Sequence, residues 1–185
     1  PTVTARIADL EAAGARIRAI ACDVASEDQV EQLFSRDLAP MPPLRGVFHL
    51  AGALDDGALI HQSWARFETV FAPKVLGAWN LHRRTATTPL DCFVLFSSWS
   101  SFLGSPGQAN HSAANAFLDA LAWQRRAAGL PALSINWGAW AEIGAATKGE
   151  AAERLRRRGI GSFSPTMGFR ALGQLMSQGT AQAAF

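Results

Sequence analysis

The sequence of 185 residues contains no tyrosine and only two cysteines, Cys22 and Cys92. Both cysteines lie in apolar, strand-like segments, which favours buried free thiols over a disulfide. No group of His, Cys, Asp and Glu has metal-ligand spacing, so no metal site is expected. No run of about 20 apolar residues predicts a membrane span, and no signal peptide is recognisable. These absences together predict a cytoplasmic protein.

Charge of one sign is also scarce, since the formal net charge is only +2. The one basic cluster, Arg154 with Arg156, Arg157 and Arg158, is typical of the solvated face and end of a helix. A contact to phosphate or to an acyl carrier is the alternative interpretation. No basic block is interleaved with aromatic residues, so no nucleic-acid partner is expected.

Helical and strand-like segments alternate along the whole chain. Helices are predicted over Val3–Ala13, from Ser26, over Trp64–Leu81, over Ser112–Ala127 and after Ser164-Pro165. Strands are predicted over Arg16–Val24, Val47–Ala51, Cys92–Phe96 and Ala132–Trp137. This alternation indicates one α/β domain over residues 1–185, a doubly wound parallel sheet with right-handed crossovers. In such a sheet, ligands bind at the carboxyl ends of the strands.

A doubly wound nucleotide-binding domain usually opens with a strand and a glycine-rich turn. Here the first predicted element is a helix, and no G-x-G-x-x-G occurs anywhere. Two interpretations follow from this. Either the chain is a piece that lacks the first strand and turn, or it does not bind a dinucleotide. The start at Pro1, without Met, favours a piece of a longer chain.

Short motifs lie at the ends of four predicted strands. They are Cys22 to Val24, His49 to Gly52, Phe96 to Ser98 (followed by Gly104 to Asn110 and Ala113 to Ala120), and Ile135 to Gly138. In this order and spacing they closely resemble the ketoreductase domains of modular type I polyketide synthases, in the short-chain dehydrogenase/reductase superfamily. The resemblance runs from about Glu11 to Leu175. It favours a partial, Rossmann-like ketoreductase domain that lacks the first strand and the glycine-rich turn.

The resemblance implies a catalytic group made of Lys74, Ser98, Asn115 and position 111. Lys74 would stabilise developing negative charge and relay a proton, although a helical lysine is more often simply solvated. Ser98, 13 residues before position 111, would hydrogen-bond the substrate carbonyl, or would instead cap a helix. Asn115 lies one helical turn after position 111 and would support the lysine and a water.

The family's acid at position 111 is a tyrosine, whereas this chain has His111. A histidine can act as an acid, with a usual pKa of about 6.5, but its side chain is shorter. Three interpretations are open. His111 donates the proton directly or through a water, the domain is reductively inactive and structural, or it keeps the cofactor for an epimerase-type or scaffold role.

The same resemblance implies NADPH as the cofactor. Asp23 and Val24 would lie at the adenine, although Asp23 could simply begin a helix. Ala51 and Gly52 would lie against the ribose, where a glycine allows close approach of the backbone. The remaining positions implied for the cofactor are Lys74, Asn136, Trp137 and Gly138.

A fingerprint for stereochemistry is also present. Leu54, Asp55 and Asp56 match the Leu-Asp-Asp motif associated with B-type ketoreductases, which give a D-configured β-hydroxyl. Leu103, eight residues before position 111, stands where A-type members have tryptophan. As an alternative, Asp55 and Asp56 are ordinary turn residues before Gly57.

The tryptophans divide into two predicted groups. Trp137 and Trp140, with Ile143, follow the last motif and are expected to cover the nicotinamide or the acyl chain. Core packing is the alternative for these residues. Core packing is predicted outright for the tryptophans at helical spacing, Trp64, Trp79 and Trp123.

The resemblance implies a substrate, a β-ketoacyl chain tethered to an acyl carrier protein, and other domains of the same synthase as partners. A noncatalytic structural domain is the first competing function. A free-standing short-chain dehydrogenase is the second. It is disfavoured because Lys74 precedes Ser98 and Asn115 follows position 111, whereas free-standing members usually hold these two residue types in swapped places.

Overall fold

The computed structural model describes residues 2–143, 159 and 161–185. The helices of this part are α1 (Val3–Ala12), α2 (Glu27–Gln32), α3 (Trp64–Phe71), α4 (Gly77–Thr85), α5 (Ser100–Leu103), α6 (Ala109–Ala127) and α7 (Pro165–Ser177). The strands are β1 (Gly46–His49), β2 (Cys92–Ser98), β3 (Leu133–Trp137), β4 (Ala139–Trp140), β5 (Ser162–Phe163) and β6 (Gln182–Ala184). π-helical turns cover Leu33–Asp37 and Ala72–Leu76, and a 3-10 turn covers Leu59–His61. The predicted arginine cluster at 154–158 lies outside the described residues.

Four strands form a parallel sheet in the order β1-β2-β3-β6. The register pairs Phe48 with Val94, and Val94 in turn with Leu133. β4 and β5 form a separate parallel pair. The predicted α/β class with a parallel sheet is therefore confirmed. Because the strands are parallel, the motifs that follow β1, β2 and β3 meet at one edge of the sheet.

Alternate residues of β2 supply two hydrophobic cores, one on each face of the sheet. Phe93 and Leu95 pack on one face with residues of α4 and α6, among them Leu81 and Leu118. Val94 packs on the other face in a cluster that includes Ala171 of α7. Burial on both faces explains why β2 is apolar throughout rather than alternating.

The strand predicted over Arg16–Val24 is wrong, because the segment forms no strand in the structure. Its alternating pattern survives as burial over the second half of the segment, where Ile20, Cys22 and Val24 are half-buried and the residues between them are exposed. A strand requires a hydrogen-bonded neighbour, and β1 pairs only with β2. In doubly wound sheets other strands can separate two that are successive in the chain, so this segment finds no partner here.

The other predicted elements are confirmed with small shifts at their ends. Ser26 and Ser164 are the N-caps of α2 and α7, with hydroxyls that accept from the backbone N–H of Gln29 and Met167. The segment Trp64–Leu81 is helical, but a π-helical turn interrupts it. The sequence patterns did not indicate α5, the β4–β5 pair or β6, all of which are short.

Two predictions about burial need correction. Core packing of Trp64, Trp79 and Trp123 is wrong, since 67%, 37% and 57% of these residues is exposed. Helical spacing alone places an aromatic residue on a face but does not say that another element covers that face. Cys22 and Cys92 are free thiols as predicted, although both are only partly buried.

Two helical glycines provide a test of the packing. A Cβ atom at Gly77 would lie 2.7 Å from Cγ2 of Val24 and 3.2 Å from Cε1 of His49, whereas one at Gly173 would meet nothing within 4 Å. We expect Gly77→Ala to lower the free energy of unfolding by about 1–3 kcal/mol through overpacking. Gly173→Ala, the matched control, should raise it by about 0.4–1 kcal/mol. Urea unfolding of the intact protein measures both, and equal effects would contradict the packing.

Candidate active site

The side chain of Lys74 enters the site from a π-helical turn. Proline inside a helix removes one backbone hydrogen bond and crowds the carbonyl four residues earlier. Here Pro73 lies in the wider turn Ala72–Leu76, between α3 and α4, and Lys74 follows it. π-helical turns inside helices are frequent at functional sites. Gly77 then lets the start of α4 approach Val24 and the end of β1.

Lys74 is a buried cation, with only 7% of the residue exposed. Its Nζ donates a hydrogen bond to the carbonyl oxygen of Phe96, 3.0 Å away, near the end of β2. Burial lowers the pKa of Lys74 to about 8, while the charge of Asp119 acts in the opposite direction. The amine is therefore mostly protonated at neutral pH. A Cβ at Gly52 would lie 3.3 Å from Cε of Lys74, so this glycine leaves room for the lysine.

Asp119, whose charge acts on Lys74, belongs to a polar network below the site. Its carboxylate accepts from the Ser134 hydroxyl at 2.6 Å and from the Asn136 amide at 2.8 Å. The same amide donates to the Ser97 and Ser101 hydroxyls at 3.0 and 2.9 Å. These bonds fasten β2, β3 and α6 to one another at the carboxyl end of the sheet.

Ser98 is the last residue of β2 and pairs with Trp137 in the register of β3. Its hydroxyl accepts a hydrogen bond from the backbone N–H of Ser100 at 3.2 Å. Ser98 therefore makes part of the helix-capping contact that was the alternative role for it, although Trp99 occupies the N-cap position of α5. The hydroxyl proton of Ser98 remains available for a carbonyl oxygen, because accepting a bond does not use it.

Asn115 and His111 lie one turn apart on α6, as the spacing predicts. The Asn115 amide donates to the carbonyl oxygen of His111 at 2.8 Å. The backbone carbonyl of Asn115 accepts from the Ser97 hydroxyl at 3.2 Å. The second contact ties α6 to the end of β2, which brings position 111 to the strand end that carries Ser98.

His111 is an uncharged histidine in this environment. Burial and, second to it, the charge of Lys74 lower its pKa to about 4, while the charge of Asp56 acts in the opposite direction. Its Nδ1 is buried and has no hydrogen-bond partner among the described residues. At pH 7 an imidazole of this pKa is protonated in about one molecule in a thousand. The ring of His111 therefore has one N–H group and one unprotonated nitrogen.

His49, at the end of β1, is a second buried histidine of the site. The sequence motif includes His49, but the resemblance gave it no role. Burial and the charge of Lys74 lower its pKa to about 4, and its Nε2 has no partner among the described residues. The signal in the sequence was a histidine at the end of an apolar strand, which indicates no particular function by itself.

The loop that carries Asp55 and Asp56 is held against α3 and α6. Nε of Arg66 donates to the Asp55 carboxylate at 2.7 Å. The Gln108 amide, just before α6, lies 3.0 Å from both carboxylate oxygens of Asp56. Leu54 is partly exposed, at 44%. The loop thus lies beside the start of the helix that carries His111.

Asp23 has the local contacts of a residue that begins a helix. Its Oδ1 accepts from the N–H of Ala25 at 3.0 Å, and its own N–H donates to the Gln29 side chain at 2.8 Å. The carbonyl oxygen of Val24 accepts from the Asn80 amide at 3.0 Å. Asp23 is exposed, so the adenine contact stays a prediction beside the local role.

The motif after β3 is built into the interior. The side chain of Asn136 belongs to the network around Asp119, and Trp137 is 5% exposed among Phe96, Trp140 and Phe163. Core packing is therefore the observed role of Trp137, whose indole N–H has no partner among the described residues. A Cβ at Gly138 would lie 3.2 Å from the carbonyl oxygen of Phe185.

The remaining predicted positions are more open. Leu103 at the end of α5 is 60% exposed, and Ile143 is 43% exposed. Trp140 packs against Trp137 and Phe163, and Ala51 is partly buried after β1.

Among the described residues, no cluster of His, Cys, Asp and Glu could hold a metal ion. None of the helices in the described part is long and apolar enough to cross a membrane.

Curated proteins with similar sequences are large synthases. "Phenolphthiocerol synthesis polyketide synthase type I Pks15/1" of Mycobacterium marinum is 45% identical over 161 residues, which is 85% of this chain and 8% of that protein. "Polyketide synthase GfsB" of Streptomyces halstedii is 45% identical over 183 residues, 97% of this chain and 3% of that protein. The chain therefore spans less than a tenth of the length of either relative.

Solved structures with a similar backbone are ketoreductases. One, "Structure of A-type Ketoreductases from Modular Polyketide Synthase", has a TM-score of 0.95 and 39% identity, covering 100% of this chain and 39% of that one. "The first ketoreductase of the tylosin PKS" has a TM-score of 0.83 and 43% identity, covering 96% and 38%. A family model described as "KR domain" matches residues 1–142. This chain therefore belongs to the KR domain family, the ketoreductase domains of polyketide synthases.

Proposed function

We propose that this chain takes part in the NADPH-dependent reduction of a β-ketoacyl thioester, held on an acyl carrier protein, to the β-hydroxyacyl thioester. One observation carries the proposal. The buried cation Lys74 is hydrogen-bonded to Phe96 at the strand end that carries Ser98, and its charge acts on His111. A cation, a hydroxyl and an imidazole at one strand end can together polarise a carbonyl group and protonate it.

The residues present fit a nicotinamide cofactor with its substrate. The buried polar atoms without a partner among the described residues include Nδ1 of His111, Oδ1 of Asn115 and Nε1 of Trp137. Each such atom costs about 1–3 kcal/mol when it stays unpaired, so a bound polar ligand would be favoured. When bound, the reduced nicotinamide supplies the hydride. Asp23 and Val24 would hold the adenine end, and Gly52 the ribose.

The residues of this chain would handle the carbonyl oxygen. Ser98 donates a hydrogen bond to it and so polarises the carbonyl group. When the carbon accepts the hydride, the oxygen becomes an alkoxide that requires one proton. Neutral His111 gives up its ring N–H to the alkoxide while its other nitrogen receives a proton from Lys74, directly or through a water. The imidazole ends neutral, and Lys74 ends as the free amine.

Substitution of His111 tests its part in this relay. His111→Phe should lower kcat by about 10²–10⁴-fold, the usual contribution of general acid catalysis. NADPH oxidation with a β-keto thioester surrogate measures it in a complete ketoreductase domain that contains this chain. His61→Phe, at an exposed position of the 3-10 turn, is the matched control and should leave kcat unchanged. Equal rates for the unsubstituted and His111→Phe enzymes would exclude the relay.

The pH dependence of kcat/KM separates the relay from direct donation by a charged His111. The relay needs Lys74 protonated, with a pKa of about 8, and His111 neutral, with a pKa of about 4. The rate should therefore be flat between roughly pH 5.5 and 7 and should fall as the pH rises through 8. Direct donation by imidazolium would instead lose about tenfold per pH unit above 4.

Lys74→Arg separates proton transfer from the effect of the charge at this position. Arginine keeps the positive charge but does not release its proton at any accessible pH, so the relay predicts a fall in kcat of about 10²–10⁴-fold. An unchanged kcat in Lys74→Arg would show that the charge acts without transfer of a proton from residue 74.

A second candidate function is a reductively inactive domain that keeps a structural role in its synthase. The neutral state of His111 favours it, because a neutral imidazole is a weak acid without a proton source. A relative named "Putative inactive phenolphthiocerol synthesis polyketide synthase type I Pks1", from Mycobacterium tuberculosis, is 45% identical over 161 residues, 85% of this chain and 10% of that protein. Absence of turnover with His111, restored by His111→Tyr, would support this second candidate.

For an active domain we propose the B-type outcome, a D-configured β-hydroxyl. The Asp55–Asp56 loop lies beside the start of α6, and Leu103 stands in place of a tryptophan. Overall backbone similarity to an A-type structure does not oppose this, since a few side chains at the mouth of the site decide the face of attack. Chiral chromatography of the product alcohol checks the proposal, and an L-configured product would contradict it.

A further inference from the structure

Asn110, the residue before His111, is completely buried and uses its side-chain amide in three directions. Its Nδ2 donates to the carbonyl oxygen of Asp55 at 2.9 Å and to that of Arg66 at 3.2 Å. Its Oδ1 accepts from the backbone N–H of His111 at 2.8 Å. None of the motif-based roles includes this residue, and 0% of it is exposed.

These three bonds fix the orientation of the amide. Nδ2 has two hydrogens and faces two carbonyl oxygens, whereas Oδ1 faces a donor. A flipped amide would put its oxygen against both carbonyls. The N–H of His111 belongs to the first turn of α6 and has no partner within the helix, so Asn110 supplies the acceptor that this position lacks.

Asn110 joins three segments of the chain. They are the Asp55–Asp56 loop, α3 through Arg66, and the first turn of α6 with His111. Arg66 closes the loop from the other side, since its Nη2 donates to the carbonyl oxygen of Asp56 at 2.8 Å. A Cβ at Gly57 would lie 2.3 Å from Nη1 of Arg66, so the loop and the guanidinium are in close contact.

We propose that Asn110 is a positioning residue that couples the Asp55–Asp56 loop to the group at position 111. It sets where the proton donor stands relative to the Asp55–Asp56 loop. Through that geometry it determines which face of the β-keto group is reduced. The inference rests on the proposed reductase function, but the coupling itself is a structural property that can be measured without turnover.

Hydrogen–deuterium exchange of the complete domain tests the coupling. Asn110→Ala removes all three bonds and should speed exchange about tenfold or more in both 53–62 and 108–115, since each buried bond contributes about 0.5–1.5 kcal/mol. Asn110→Asp is isosteric and keeps the acceptor for the His111 N–H but loses both donors. It should therefore speed exchange in 53–62 while 108–115 stays protected.

Asn80→Ala is the matched control, because Asn80 is also a buried helical asparagine, with donors that bind the carbonyl oxygens of Val24 and Ala25. It should speed exchange around 23–32 and leave 53–62 unchanged. Unchanged exchange in 53–62 for Asn110→Ala, or the same change there in Asn80→Ala, would overturn the coupling.

The stereochemical part is measured in a His111→Tyr background, which provides the family's own acid. Asn110→Ala and Asn110→Asp should each move the ratio of the two alcohol products toward one and lower kcat more than they change KM. Asn80→Ala should keep the parent ratio. An unchanged product ratio in both Asn110 variants would overturn the specificity role. No turnover by His111→Tyr itself would count against the proposed function, while the exchange comparison still decides the coupling.

Discussion

The site depends on one interaction, the hydrogen bond that holds the buried ammonium group of Lys74. It lies at the carboxyl end of β2, hydrogen-bonded to the carbonyl oxygen of Phe96 at 3.0 Å. A buried cation is unfavourable unless charges and dipoles compensate it, and the charge of the Asp119 carboxylate favours the protonated form of Lys74. Burial, together with the charge of this cation, keeps His49 and His111 neutral. With a histidine at position 111, the proposed proton relay therefore runs from Lys74 through a neutral imidazole.

The buried polar residues below Lys74 hold the elements of the site together through hydrogen bonds. Asn136 bonds to Asp119, to Ser97 and to Ser101, and so fixes β2, β3, α5 and α6 together. Asn110 has the same kind of role above the sheet, with three bonds to three segments. Buried polar networks specify one arrangement when every member is satisfied. Among the described residues, His111 and Asn115 are by contrast left with a buried polar atom that has no partner.

The sequence predicted much of this architecture because its signals are local. The apolar run of β2, the N-caps at Ser26 and Ser164, and the one-turn spacing of His111 and Asn115 all depend on neighbouring residues. The prediction of a strand at Arg16–Val24 was wrong, because a strand forms only beside a hydrogen-bonded partner strand, which can lie far away in the sequence. The prediction that Trp64 and the other tryptophans at helical spacing pack in the core was wrong, because this spacing does not show whether another element covers that face of the helix. The π-helical turn at Lys74 and the low pKa values depend on three-dimensional burial, which no pattern contains.

The protonation state of His111 is the central claim, and it can be measured directly. Histidine labelled with ¹³C at Cε1 and followed by NMR from pH 3.5 to 8 gives the pKa of each ring, with His111→Phe to assign the resonance. The expected pKa of His111 is about 4, with a rise in Lys74→Met when the neighbouring charge is removed. A pKa at or above the ordinary value of about 6.5 would contradict the claim, because His111 could then serve as a charged acid without Lys74.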